Sequence, residues 1–125
     1  MTFINLSNHL IASWSAEQLE TAAALGFGDP VEFQGGMPNV PPEMDEHEVA
    51  SLAKRVSADA IAQGATAAFV ASDFTFAFLL VKDLTARGIR CFSTTTLRRV
   101  EELVLADGTV YKKSVFEFVR WREYL

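Results

Sequence analysis

The chain has few of the residues that cross-link small proteins or bind metal ions. Its 125 residues include one cysteine, Cys91, and two histidines, His9 and His47, far apart in the sequence. A single cysteine excludes an intrachain disulfide and a cysteine-rich metal site. Two separated histidines lack the close spacing of a structural zinc site. We therefore expect neither a metal ion nor another cofactor.

Long apolar runs and targeting signals are also missing. No apolar run reaches the roughly 18 residues that cross a bilayer, and the longest runs are interrupted by Asp73, Lys82 and Asp83. The first ten residues contain no positively charged region and no small-residue cleavage site, so they do not resemble a signal peptide. These features predict a cytoplasmic protein that does not contact a membrane.

Positive charge is scarce and unevenly placed. The net charge is −5; residues 1–63 hold two basic and nine acidic side chains, whereas residues 64–125 hold nine basic and seven acidic ones. An acidic protein of this kind is not a general DNA or RNA coat protein. A small anionic ligand held by the C-terminal half fits the distribution, as does a chance asymmetry of solvated charges.

The length and the hydrophobic pattern predict one α/β domain spanning residues 1–125. Strands are predicted at Thr2–Leu6, Pro30–Phe33, Ala67–Ala71 and Ile89–Ser93. They alternate with three helices that begin after Ser15, Asp45 and Asp73, each a residue that caps helices. The third helix, rich in Phe and Leu all round, is expected to be heavily buried. Alternating strands and helices predict a parallel sheet flanked by helices.

The C-terminal region changes from this alternation to a β-hairpin. Asp107-Gly108 is a hairpin turn signal between two further predicted strands, Val100–Leu105 and Val110–Val119. We expect the hairpin to extend the sheet or to reach a second subunit. Four aromatic residues near the end favour a two-fold dimer, because so small a chain cannot bury all its aromatics: Phe116, Phe118, Trp121 and Tyr124.

Polar residues follow three predicted strands, at the edge where α/β proteins bind ligands. They are Ser7-Asn8-His9, Ser72-Asp73-Phe74-Thr75 and Ser93-Thr94-Thr95-Thr96. Helix N-termini at this edge suit phosphate groups. Neither GxGxxG nor GxxxxGK[ST] is present, which argues against NAD binding and P-loop chemistry. Simpler roles remain open, namely helix caps for Ser72 and Asp73, strand propensity for the threonines, and a plain loop residue for His9.

The sequence ends in an unusual cluster, Arg120-Trp121-Arg122-Glu123-Tyr124. Arginine binds phosphate through two parallel hydrogen bonds, and alternation along a strand places Arg120 and Arg122 on one face. The same residue types are enriched at subunit interfaces. The cluster therefore predicts ligand binding, a dimer contact, or both.

At these residues the chain resembles the small stand-alone CRISPR-associated proteins of type III systems, which have a CARF-like Rossmann domain and include ring nucleases. The matching segments occur in the same order across nearly the whole chain, and the last is the most specific. They are Asn5-Leu6-Ser7-Asn8-His9, Asp73-Phe74-Thr75-Phe76, Thr94-Thr95 followed by Arg98-Arg99-Val100-Glu101-Glu102, and the ending from Phe116 to Tyr124. Leu10 and Ser72 depart from the pattern, where proline and glycine are common.

The resemblance implies a Rossmann-like parallel sheet with a C-terminal hairpin and a homodimer that binds cyclic tetra- or hexa-adenylate. It implies a metal-independent ring nuclease, in which a ribose 2′-hydroxyl attacks the adjacent phosphate and the antiviral signal is switched off. His9 and Asn8 are the expected catalytic residues. The expected ligand-binding residues are Ser7, Asn8, Ser72, Asp73, Thr75, Thr94, Thr95, Arg98, Arg120 and Arg122.

Three other functions share these features. A binding protein would sequester the messenger without cutting it, and a sensor subunit would bind it and act on another protein. A nucleotide-binding α/β domain unrelated to CRISPR defence is the third alternative. Turnover of labelled cyclic oligoadenylate separates the nuclease from the other three.

Overall fold

The computed structural model describes residues 1–125 and contains five strands, three α-helices and one short 3-10 helix. The strands are β1 (Phe3–Ser7), β2 (Pro30–Glu32), β3 (Ala67–Ala71), β4 (Arg90–Val104) and β5 (Val110–Glu123). The helices are α1 (Ala16–Ala24), α2 (Glu46–Ala62) and α3 (Phe74–Ala86), and the 3-10 turn covers Ile11–Ser13. No helix has the length and the apolar composition to span a bilayer.

The predicted capping residues begin all three α-helices. The hydroxyl of Ser15 accepts a hydrogen bond from the backbone N–H of Gln18. Asp45 forms a reciprocal capping box with Glu48, and Asp73 accepts from the N–H of Phe76. Because each cap satisfies an N–H that the helix itself leaves unpaired, these short motifs fixed the helix starts in the sequence prediction.

The strands form one mixed sheet in the order β2-β1-β3-β4-β5. The first four are parallel, and β5 runs antiparallel to β4. The expected α/β architecture is therefore confirmed in its coarse form. Parallel strands joined by helices place their carboxyl ends at one common edge, which is where the three polar segments were expected to meet.

Side chains that alternate along the strands form a separate core on each face of the sheet. On one face, aliphatic residues of β1, β3 and β4 pack against α2 and α3. On the other face, α1 and the 3-10 turn cover an aromatic cluster made of Phe3, Trp14, Phe27, Phe69, Phe92 and Trp121. Trp121 is 6% exposed, so this aromatic residue of the C-terminal cluster stabilises its own protomer, although we expected it at a subunit interface.

The prediction that a strand ends at Ser93 and another begins at Val100 is wrong. One strand, β4, runs without interruption from Arg90 to Val104 and pairs with β5 from Phe92 onward, with a bulge between Thr95 and Thr96. Three consecutive β-branched threonines favour extended backbone, and β5 supplies their hydrogen-bond partners. The chain consequently has five strands where the sequence predicted six.

The prediction that α3 is heavily buried holds for only one side of the helix. Phe76, Leu80 and Leu84 repeat every four residues and are fully buried. Phe74 and Phe78 lie on the outer side and are 94% and 66% exposed. A helix that packs on one layer buries a single stripe, and no further layer covers the outer side of α3.

The single cysteine provides a test of the core. Cys91 is buried in β4, and this burial raises the pKa of its thiol to about 12, with a smaller contribution from the negative charge of Glu123. Only the thiolate reacts with alkylating reagents. We therefore expect iodoacetamide at about pH 8 to leave the native protein unmodified and to alkylate the unfolded chain. Equal alkylation of the native and the unfolded protein, measured by mass spectrometry, would contradict the burial of Cys91.

Candidate functional site

A fixed loop follows β1 at the carboxyl edge of the sheet. Two buried side chains hold the backbone oxygen of His9, since Asn5 Nδ2 donates to it at 2.8 Å and Trp14 Nε1 donates to it at 3.0 Å, with a longer contact from Ser7 Oγ at 3.4 Å. The backbone N–H of His9 donates to Ser7 Oγ at 3.2 Å. Both polar backbone groups of His9 are therefore held from inside the fold, which restricts where its side chain can point.

A buried polar network stands behind this loop. The hydroxyl of Ser7 donates to Asn5 Oδ1 at 2.6 Å, and Asn5 Nδ2 also donates to Glu32 Oε1 at 2.7 Å. The second oxygen of Glu32 accepts from the N–H of Ile11 at 3.1 Å. Ser7 is only 6% exposed. Ser7 therefore orients the loop of His9, and its expected contact with a ligand stays a prediction.

The side chains of Asn8 and His9 are exposed at the carboxyl edge. The hydrogen bonds that fix the loop involve only the backbone of His9, so they leave its imidazole free and exposed to solvent. Asn8 also lines a cavity of about 340 Å³ at the end of β1 and β2, together with Asn5, Ser7 and Glu32. The two expected catalytic side chains are therefore available at the surface, on a segment whose backbone is held by hydrogen bonds.

The start of α3 lies at the same edge but has a different electrostatic character. Asp73 caps the helix through its contact with the N–H of Phe76 at 3.0 Å, Ser72 is half-buried, and Thr75 is exposed. Asp73 and Thr75 line a cavity of about 300 Å³ shared with the start of α2, which includes Asp45 and Glu46. Three carboxylates disfavour a phosphate in this cavity. A capping role accounts for Asp73, and Thr75 is the more suitable ligand contact.

The threonines of β4 lie on both faces of the sheet. Thr94 and Thr96 line a groove of about 520 Å³ between the start of α1 and the base of the hairpin, beside Phe116 and Phe118. Thr95 alternates to the other face, and its hydroxyl donates to the backbone oxygen of Arg120 at 3.4 Å. The structure therefore separates two residues that the sequence prediction placed in one site.

The arginines are divided between the two faces in the same way. Arg120 and Arg122 flank the buried Trp121, so they project from the opposite face, which α2 and α3 cover further along the sheet. Arg120 and Arg122 therefore share one face of β5, as the alternation along the strand predicted. Arg98 lies on the face of Phe116 and donates to the hydroxyl of Ser114 at 3.1 Å, away from Arg120 and Arg122.

The acidic residues of β5 already have arginine partners. Glu123 makes a bidentate ion pair with Arg90 at 2.6 and 2.8 Å, which holds the pKa of Glu123 below its ordinary value. Glu117 pairs with Arg99. Arg120 and Arg122 form no ion pair within the chain. Their guanidinium groups are therefore not neutralised by neighbouring carboxylates.

The expected site residues thus form two groups within one protomer. Asn8, His9 and Thr75 lie exposed at the carboxyl edge of β1 and β3, and Thr95, Arg120 and Arg122 lie on one face of β4 and β5. Thr94 and Arg98 lie on the opposite face, outside both groups. No single cavity encloses both groups. No three His, Cys, Asp or Glu side chains are arranged as a metal site. Sequence reasoning missed Asn5 and Glu32, although a polar residue inside the apolar strand Phe3–Ser7 was a visible signal for Asn5.

A protein-family model matches nearly the whole chain, including the candidate site. The model of the "Uncharacterized protein MJ1673 family" matches residues 1–122. The chain belongs to this family. Neither the curated proteins nor the solved structures contain a match. The MJ1673 family match includes the loop of His9, the start of α3 and both arginines of β5, so the candidate site lies entirely inside the part of the chain that defines the family.

Proposed function

We propose that this protein is a CARF-like ring nuclease of type III CRISPR systems, which binds cyclic oligoadenylate at the carboxyl edge of its sheet and cleaves it. The observation that carries the proposal is the loop of His9. Buried Asn5, Ser7 and Trp14 fix its backbone, while its imidazole remains exposed. A fixed backbone limits the positions that the imidazole can reach, and this favours one defined contact between His9 and a ligand.

The chemistry requires a base near a ribose hydroxyl. In the proposed step, neutral His9 accepts the proton of the 2′-hydroxyl, and the 2′-oxygen forms a bond to the adjacent phosphorus. The bond from phosphorus to the 5′-oxygen breaks, and that oxygen takes up a proton from water, while His9 returns its own proton to the solvent. The product is a linear oligoadenylate with a 2′,3′-cyclic phosphate and a 5′-hydroxyl. Histidine is the side chain that most often carries out this kind of proton transfer in enzymes.

The other exposed residues have supporting roles. The amide of Asn8 can donate a hydrogen bond to the phosphate oxygens, whose negative charge increases in the transition state. Arg120 and Arg122 supply the positive charge that an acidic protein needs to attract a polyanion. Arg98 lies on the face of the sheet opposite Arg120 and Arg122. We therefore leave it out of the proposed site.

Turnover of defined ligands tests the proposal. Purified protein is incubated with labelled cyclic tetra-adenylate or cyclic hexa-adenylate in the presence of EDTA, and the products are resolved by chromatography and mass spectrometry. We expect linear products that end in a 2′,3′-cyclic phosphate. Binding without products would replace the nuclease by a sequestering protein or a sensor. Absence of both binding and cleavage would contradict the proposal as a whole.

The two arginines of β5 provide a separate prediction. We expect Arg120→Ala and Arg122→Ala each to weaken binding of cyclic oligoadenylate by about tenfold, the scale of one charge-assisted contact. The affinity of the wild-type protein should decrease as salt increases. Arg55→Ala, which removes an exposed arginine from α2, is the matched control and should bind normally. Unchanged affinity in both β5 variants, measured by calorimetry, would exclude these residues from the site.

A further inference from the structure

The hairpin formed by β4 and β5 exposes much apolar surface. Within residues 97–119, which we call the arm, nine large apolar side chains are at least half exposed. They are Leu97, Val100, Leu103, Val104, Leu105, Val110, Tyr111, Phe116 and Val119. Outside the arm and the chain ends, few large apolar side chains are exposed, and the most prominent are Phe74 and Phe78. The exposed apolar surface of the protein is therefore concentrated on one element.

The arm has little support from its own protomer. Register pairs from Leu97–Glu117 to Val104–Val110 join only its two strands to each other. The apolar pair Val104–Val110 lies on one face of the ribbon, and the pair Leu103–Tyr111 lies on the other. An isolated two-stranded hairpin is at best marginally stable in water. The arm consequently needs a partner surface.

The charge of the arm indicates which partner suits it. It carries four basic and four acidic side chains, which cancel, whereas the whole chain carries −5. Arg99 pairs with Glu117, and Lys112 lies 3.8 Å from Glu102, so part of this charge is neutralised across the two strands. A neutral arm offers no attraction to nucleic acid or to a strongly charged protein. It also presents no net repulsion to a second identical arm.

The exposed apolar area of the arm favours a contact with a second copy of the chain. Together the nine half-exposed side chains leave roughly several hundred Å² of apolar surface, divided between the two faces of the ribbon, whereas the largest apolar patch of a typical monomer is about 300–600 Å². A standard protein interface buries about 800 Å² on each partner. The arm alone supplies a large share of this area in apolar groups, and homodimer interfaces are more apolar than transient ones.

We propose that the arm is a dimerisation element, which packs against a second copy of this chain across a two-fold axis. A two-fold contact uses the same patch on both subunits, so a neutral apolar arm is its own complement. The inference deepens the proposed function by assigning the surface of the expected homodimer. Because its test requires no ligand, dimerisation and ligand cleavage can fail independently.

Sedimentation velocity on matched lysine variants tests the arm. Val110→Lys and Tyr111→Lys place a charge on opposite faces of the arm, and Phe78→Lys places one on the exposed side of α3. We expect a dimer at micromolar concentration for the wild-type protein and for Phe78→Lys. At least one arm variant should show a dimer dissociation constant raised by tenfold or more, the scale of burying an unpaired charge.

Other outcomes would overturn the inference. A monomeric wild-type protein would contradict it directly, and so would a dimer that survives both arm substitutions. Dissociation in Phe78→Lys alone would place the interface on α3. Far-UV circular dichroism and thermal unfolding show whether each variant is folded. If an arm variant unfolds, Tyr111→Ser is used in its place, because it removes the apolar ring without introducing a charge.

Discussion

Replacing His9 by alanine is expected to lower the rate of cyclic oligoadenylate cleavage by about 100-fold or more, the usual scale for loss of a general acid or base. The substitution removes the exposed imidazole and leaves the backbone contacts of the loop, since these involve the N–H and the carbonyl oxygen of residue 9. Ligand binding should be weakened much less than the rate. Single-turnover kinetics with saturating protein measures the chemical step separately from binding.

His47 provides the matched control for this experiment. It is the only other histidine, and it lies exposed in the first turn of α2 beside Glu46 and Glu48. His47→Ala should cleave at the wild-type rate. If His9→Ala also remains near the wild-type rate, His9 is not the base, and cleavage has to depend on the positioning of the ligand and on stabilisation of the phosphate charge.

Truncation of Trp121 is expected to have the largest effect on stability. Its ring contacts Phe3, Phe69 and Trp14 with centroid distances of 5.2 to 5.6 Å, and its indole N–H donates to Thr21 Oγ1 at 3.1 Å. These contacts attach β5 to β1, β3 and α1 at once. Trp121→Ala should therefore lower the free energy of unfolding by about 3–5 kcal/mol, as for other large-to-small core changes.

Urea denaturation followed by circular dichroism measures this difference. Phe78→Ala is the control because it also removes an aromatic ring, but from the exposed side of α3. Its free energy of unfolding should remain within about 0.5 kcal/mol of the wild-type value. A loss below about 1 kcal/mol for Trp121→Ala would show that the aromatic cluster does not anchor β5.

The local parts of the fold were predictable because their causes are local. Ser15, Asp45 and Asp73 accept hydrogen bonds from N–H groups three residues ahead, so each helix start can be recognised in a short segment. The apolar run Ala67–Ala71 coincides with β3, as expected of a strand covered on both faces.

The failures arose where distant residues determine the outcome. The polar run Ser93–Thr96 resembled the end of a strand, but β5 pairs with it across more than twenty residues of chain and extends β4. The apolar composition of α3 suggested heavy burial, but the number of layers around a helix is set by the whole fold. Propensity alone cannot supply either piece of information.

The candidate site was predictable in its position and incomplete in its residues. The polar segment after β1 predicted that Asn8 and His9 lie at the carboxyl edge of the sheet, and the structure exposes both side chains there. The hydrogen bonds of Ser7 could not be predicted, because its partner Asn5 in turn contacts Glu32, 27 residues away. Alternation along β4 and β5 then separated Arg98 from Arg120 and Arg122, a division that requires the bulge and the register to be known.

The most direct test of the central claim is the nuclear magnetic resonance spectrum of the two histidine side chains during titration with cyclic tetra-adenylate and cyclic hexa-adenylate. The claim is that the ligand binds beside His9 at the carboxyl edge. The account predicts that the imidazole signals of His9 shift as ligand is added, while those of His47, in an acidic turn that a polyanion avoids, remain in place. Binding that leaves the His9 signals unchanged, or that shifts only those of His47, would contradict the account.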